Sequence, residues 1–229
     1  MSDVYQVPLR HKVSRPLLKA VFRFLFRTLG RVTITGRENI PRGKPCMIAM
    51  NHVSIYDPPL AGAFWPGPLE IIGAIDVFEK PLQGQLLRAY GVIPVHRGDY
   101  DRALLTRMVR ILEAGYPLLI APAGGRSHVP GLLRAKPGVA YLAEKMQVPV
   151  VPVGLVGTTE DFWQRAKRGE RPPLEIRIGK PITLSQRISK GIEKHGARQN
   201  NADLVMRTIA GLLPAEYRGV YAESAIFPS

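Results

Sequence analysis

The string Asn51-His52-Val53-Ser54-Ile55-Tyr56-Asp57 sets an imidazole and a carboxylate five residues apart in a polar stretch after the apolar run Met47 to Met50. An imidazole titrates near neutrality, so His52 can take a proton from an alcohol as its oxygen attacks a carbonyl carbon. Asp57 then fixes the tautomer and stabilises the imidazolium. Five residues of turning chain suffice to bring the side chains together. A second reading of the same string makes Asp57 the cap of a helix opening at Pro58, a favoured first residue, and His52 a satisfied core histidine.

Other groups have the right chemistry for an anion. Arg126 follows Ala121-Pro122-Ala123-Gly124-Gly125, so a cation stands beside a turn whose backbone N–H groups can cradle phosphate. Lys136 lies just before a helix start, where backbone donors also favour anions, although a solvated surface lysine fits equally. Arg97 follows a strand-like run and taken alone is a surface cation. The single cysteine, Cys46, sits in an apolar stretch and reads as core. It has no partner for a bridge, and no cluster has metal-ligand spacing. Phe64 and Trp65 line an acyl groove in one reading and pack in the core in the other.

These groups need a frame, and the hydrophobic pattern supplies one. Strand-like runs at 31–35, 47–50, 69–75, 92–95, 118–121, 148–153 and 174–178 alternate with helical patterns. The helical segments are 100–114, with Asp99 as cap and Gly115 as terminator, then 137–146 and 201–213. The alternation predicts a single-domain α/β fold with a mixed, largely parallel central sheet flanked by helices. Functional residues then belong in loops leaving strand ends.

Residues 15–31 form a basic amphipathic start. Lys19, Arg23, Arg27 and Arg31 recur every four residues, with Leu18, Phe22, Leu25, Phe26 and Leu29 on other faces. Four cations at that spacing repel one another. The expectation is that anionic headgroups neutralise them while the Phe/Leu face enters the acyl boundary, so the helix lies on a membrane; an ordinary surface helix is the other reading. A cation about every turn rules out a signal peptide or a span. The division expected is a membrane-associating segment, 1–31, and a domain, 32–229.

The net charge of +14 implies anionic partners. Nucleic acid is not the expected one, because no zinc-finger spacing or RNA-binding aromatic signature accompanies the charge.

The Asn-His-x-Ser-x-x-Asp string, with Asn51 and Ser54 framing the pair, resembles the signature of the glycerolipid acyltransferases, notably the 1-acylglycerol-3-phosphate acyltransferases. Three further blocks follow in that family's order. Gly91-Val92-Ile93-Pro94-Val95-His96-Arg97 is similar to the second, Ala121-Pro122-Ala123-Gly124-Gly125-Arg126-Ser127 to the third, and Val148-Pro149-Val150-Val151-Pro152-Val153 to the fourth. The resemblance spans residues 33–180, and four ordered blocks are far more specific than one.

It implies a glycerol-3-phosphate acyltransferase-like fold at the cytoplasmic membrane face, as a peripheral protein. The implied reaction takes an acyl group from acyl-CoA or acyl-carrier protein straight to a hydroxyl of a lysolipid, lysophosphatidic acid first, with no cofactor and no metal. Arg97 and Arg126 would hold acceptor phosphate, and Lys136 resembles a family lysine near the acceptor. The backbone N–H groups of Gly124 and Gly125 are candidates for the oxyanion, if the loop turns them inward. Two positions depart from the pattern, and at one of them Gly125 stands where the family carries threonine. Ala123 stands where the family carries glutamate, which implies another lysolipid or glycolipid acceptor, or an impaired lipid-binding variant.

Overall fold

In the computed structural model of the chain the described residues are 4–96, 102–184 and 192–227. They form, in chain order, α1 (Leu9–Leu29), β1 (Arg31–Thr35), β2 (Met47–Met50), α2 (Asp57–Phe64), β3 (Glu70–Ala74), α3 (Ile75–Phe78), α4 (Pro81–Tyr90), β4 (Ile93–Val95), α5 (Arg102–Glu113), β5 (Leu118–Ile120), α6 (Gly138–Met146), β6 (Val150–Val156), α7 (Phe162–Lys167), β7 (Pro173–Ile178) and α8 (Ile192–Leu212). Every run expected to be a strand is one. Asp99, the expected cap of α5, lies outside the described residues.

The strands make one sheet in the order β1-β7-β6-β2-β5-β3-β4. All neighbours are parallel except β6 and β7, so β7 and β1 run against the other five. Because β6, β2 and β5 are adjacent and parallel, the loops leaving their C-terminal ends open on one edge of the sheet.

Both faces are covered, as a largely parallel sheet requires. Alternation along β2 sends Met47 and Ala49 into a core with α5, α6 and α8, where Ile111, Leu142, Val205 and Ile209 are fully buried. Ile48 and Met50 point the other way, against Phe26 of α1, Leu60 and Phe64 of α2 and Phe162 of α7. Cys46 is buried in this second core, where burial pushes its thiol up to about 12, so it is inert packing.

Helix α1 begins at Leu9, earlier than the periodicity suggested, and runs through Pro16. Pro16 is exposed, so the carbonyl left without an N–H partner faces solvent. Arg31 falls outside the helix, which Gly30 ends by turning to extended backbone.

Of the expected cation stripe, Lys19 and Arg23 turn inward while Arg27 and Arg31 stay exposed, and here the structure corrects the sequence-based expectation. Lys19 Nζ donates to the carbonyls of Trp65 and Gly67, both at 2.7 Å, and Arg23 Nε donates to Ala63 O. Arg27 stacks over the Phe64 ring at 5.4 Å. These carbonyls are the unsatisfied acceptors at the C-terminal end of α2, where the helix dipole also favours positive charge. The repulsion between stacked cations is offset inside the protein, and burial beside Arg23 and Arg15 lowers Lys19 to about 8. Phe22 and Phe26 turn inward with them.

Arg15 completes the docking. Its guanidinium meets the Glu70 carboxylate end-on, Nη1 and Nη2 donating at 2.6 and 2.8 Å, with both groups buried, and its Nε donates to Tyr90 O. A paired, fully bonded charge can be buried, whereas a lone one is costly. Glu70→Gln should therefore destabilise the protein by about 3–5 kcal/mol, and the double change Arg15→Met, Glu70→Leu by clearly less. Urea unfolding of the three proteins checks the order.

Candidate active site

The three parallel strands deliver three loops to one place. After β2 the chain stays extended through Asn51, whose amide donates to Leu155 O at 2.8 Å and accepts from Leu155 N at 2.7 Å. This pair continues the β2–β6 ladder past the end of β2 and fixes the departure of the next residue, His52. The role of Asn51 is thus structural and specific: one amide side chain mimics a strand residue's paired bonds.

His52 Nδ1 lies 2.9 Å from Asp57 Oδ2. The Asp57 side chain is fully buried and that of His52 is 15% exposed. The same Oδ2 accepts the backbone N–H groups of Val53 at 2.6 Å and Ser54 at 2.8 Å. Oδ1 accepts the hydroxyl of Thr158, from the loop after β6. Asp57 is the first residue of α2 and makes no side-chain cap to that helix, so the capping reading is set aside. Its charge is met by four donors and the positive end of the helix. Ser54 Oγ accepts Tyr56 N–H at 3.1 Å, which shapes the turn between the two partners.

Since Oδ2 accepts only, His52 Nδ1 must carry the proton of the pair. Nε2 is left with its lone pair and no bond to any described residue. The arrangement is that of a general base held in one tautomer.

The loop after β5 forms the facing wall. Ser127 N–H donates to His52 O at 2.9 Å, so Arg126 is one residue from a direct tie to the histidine. Arg126 is half-buried and its guanidinium binds no described residue. Gly124 has φ +72°, and its N–H donates to Ala121 O at 2.9 Å. That bond corrects the expectation for this glycine: its N–H closes the turn and is not available to an oxyanion. Gly125 N–H has no partner among the described residues, and a side chain there would meet open space.

Lys136 belongs to this wall as well. Its N–H donates to Pro122 O at 2.9 Å, and its side chain lies along Gly124, where a Cβ would come within 3.0–3.2 Å of Cδ, Cε and Nζ. Gly124 is needed both for its left-handed backbone and for the passage of that lysine. Ala123 contributes no polar atom to the turn. Arg97 lies outside the described residues. His96 is exposed at the end of β4.

Thr158 is the site residue that sequence reasoning missed. A threonine 101 positions from Asp57 carries no local signal. Only the adjacency of β6 to β2 reveals it.

On the α2 side a cavity of about 550 Å³ runs beneath the helix, lined by Ile48, Ala61, Phe64, Trp65, Leu119 and Val153 among others. Arg37, Arg42 and Lys44 also line it, and neither His52 nor Asp57 does. Trp65 and Phe64 are thus at once core residues and cavity lining.

The model of the Acyltransferase family matches residues 31–156. A 1-acyl-sn-glycerol-3-phosphate acyltransferase of Chlamydomonas reinhardtii is 28% identical over 199 residues, 85% of this chain and 57% of the relative. A lyso-ornithine lipid O-acyltransferase of Pseudomonas aeruginosa is 29% identical over 195 residues, 76% of this chain and 71% of the relative. The crystal structure of the 1-acyl-sn-glycerophosphate acyltransferase PlsC from Thermotoga maritima superposes with a TM-score of 0.62 at 22% identity, over 85% of this chain and 79% of that one. The chain spans about half the length of the 1-acyl-sn-glycerol-3-phosphate acyltransferases it matches.

The four-donor carboxylate makes a prediction of its own. Thr158→Val keeps the shape and removes the donor to a buried anion, so it should cost about 1–3 kcal/mol in urea unfolding. Histidine nitrogen NMR should report His52 as the Nδ1–H tautomer in the wild type, and Asp57→Ala should abolish that preference.

Proposed function

The chain belongs to the Acyltransferase family, and from that premise we propose that it moves a fatty acyl group from a thioester to a hydroxyl of a lysolipid. The observation that carries the reading is the His52–Asp57 pair, with Nδ1 engaged at 2.9 Å and Nε2 open. The acceptor hydroxyl gives its proton to His52 Nε2 as its oxygen bonds to the thioester carbonyl carbon. The resulting oxyanion is met by Gly125 N–H. Collapse re-forms the carbonyl, breaks the carbon–sulfur bond and releases a thiolate, which takes the proton back from His52. An ester and a free thiol leave, and no acyl-enzyme forms.

Lys136, whose side chain lies along Gly124, and Arg126, two residues after that glycine, suit an acceptor phosphate, with Arg97 as a further candidate. The favoured acceptor is therefore lysophosphatidic acid, giving phosphatidic acid, and the donor is acyl-CoA or acyl-carrier protein. Several relatives are named for that acylation. A second reading, acylation of another lysolipid, is favoured by Ala123 and by the lyso-ornithine lipid relative, which the chain covers more fully.

The protein acts, on this reading, at the cytoplasmic face of a membrane where thioester donors are made. Among the described residues no helix is long and apolar enough to cross one. With Lys19 and Arg23 turned inward, Leu9, Val13, Leu17, Val21, Phe24 and Leu25 are left exposed along the helix, with the exposed Arg10 and Lys12 in its first turn. That face suits insertion at the lipid boundary, and Arg10 and Lys12 suit anionic headgroups.

Two experiments test these statements. In an assay with acyl-CoA and a panel of lysolipids, His52→Ala should lose about a hundredfold or more in turnover while staying folded. Ala123→Glu should raise lysophosphatidic acid turnover about tenfold or more, since the new carboxylate can orient Arg126 and accept a bond from the acceptor. Unchanged or lower turnover with Ala123→Glu would favour the second acceptor. On anionic vesicles, Val13→Glu with Phe24→Glu should abolish flotation, and Arg10→Gln with Lys12→Gln should weaken it; retention by the first pair would refute the membrane face.

A further inference from the structure

The family match ends at residue 156, yet both walls of the site are fastened by residues well beyond it. After α8 the chain makes two short turns, Ala215–Tyr217 and Gly219–Tyr221, laid over the loops that follow β5 and β6. Val220 N–H donates to Leu132 O at 3.2 Å, and the backbone of Gly219 packs so closely on Leu132 that a side chain at Gly219 would overlap it.

Two phenols project from this strap into the core, 6% and 5% exposed. Tyr217 OH accepts Gly157 N–H at 3.1 Å, and Tyr221 OH accepts Ala135 N–H at 3.0 Å while donating to Asp203 Oδ1 at 2.6 Å. The next residue in each loop is a side chain of the site. Thr158, after Gly157, bonds Asp57, and Lys136, after Ala135, lies along Gly124. A phenylalanine would fill either place in the core as well, so the hydroxyls are what the tyrosines add. Burial raises both phenols, Tyr221 to about 12, which keeps them protonated at neutral pH.

We propose that Tyr217 and Tyr221 are positioning residues, the first setting the Asp57 side of the base through Gly157 and Thr158, the second setting the acceptor grip through Ala135 and Lys136. The strap would thus govern two separable parts of the reaction. For its kinetic consequences the inference rests on the acyl-transfer reading; its structural core does not.

The test compares Tyr217→Phe and Tyr221→Phe. With lysophosphatidic acid, Tyr217→Phe should lower kcat about tenfold and leave the acceptor KM within about twofold, and Tyr221→Phe should do the reverse, each loss matching one hydrogen bond. Tyr217→Phe should be less than additive with Thr158→Val and additive with Lys136→Ala, and Tyr221→Phe should show the opposite pattern. Amide exchange needs no turnover: Val53 and Ser54, whose N–H groups Asp57 holds, should exchange about tenfold faster in Tyr217→Phe and at the wild-type rate in Tyr221→Phe.

Equal effects of both variants on kcat and KM, additive cycles throughout, or unchanged exchange at Val53 and Ser54 would overturn the proposal. If the wild type acylates no lysolipid of the panel, the acyl-transfer reading falls and exchange still decides the strap. Should a phenylalanine variant fail to fold, wild-type exchange decides: protected Gly157 and Ala135 amides support the proposal, and unprotected ones overturn it.

Discussion

A carboxylate with no exposed surface must be bonded on both oxygens, and that requirement at Asp57 organises the structure around it. Two of its donors come from the turn that bears His52 and one from the imidazole itself, but the last comes from the far side of β2. Satisfying the anion therefore requires β6 beside β2 in one register, with its exit loop folded over α2. The Asn51–Leu155 pair secures that register at the last possible residue. A one-residue slip would move Thr158 away from the acid and turn every side chain of β6 to the other face.

A second buried charge, Glu70, does for α1 what Asp57 does for the site. Arg15 has to lie against it, and once it does, Lys19 and Arg23 fall on the carbonyls that end α2. The two helices are thereby joined end to side, with α2 carrying Asp57 at its other terminus.

The fold was legible in the sequence because its signals are local. Each strand is centred on a short apolar run near turn residues, and each layer follows from alternation. The His52–Asp57 proximity was legible for the same reason, being five residues of one turn. What the sequence concealed lies in pairings across the sheet. Thr158 is 101 residues from Asp57, and Glu70 is 55 from Arg15. The cation stripe of α1 pointed toward lipid because its actual partners, main-chain carbonyls of α2, have no side-chain signature at all. Gly124 was misread for a related reason: whether an N–H closes its own turn depends on a backbone angle that residue type only permits.

The position of β6 in the sheet bears on how such a protein is made. β6 is sixth in the chain but lies inside the sheet, flanked by β2 and β7. While a ribosome has released only the first five strands, β2 has an open edge, Asn51 has no carbonyl or amide to pair with, and Asp57 lacks its hydroxyl donor. Assembly must wait for a strand whose contacts span about a hundred residues, the kind of non-local pairing that slows folding and leaves a sticky edge exposed in the interval. In that interval the edge of β2 stays open, and the donor set of Asp57 is completed only when β6 pairs beside it.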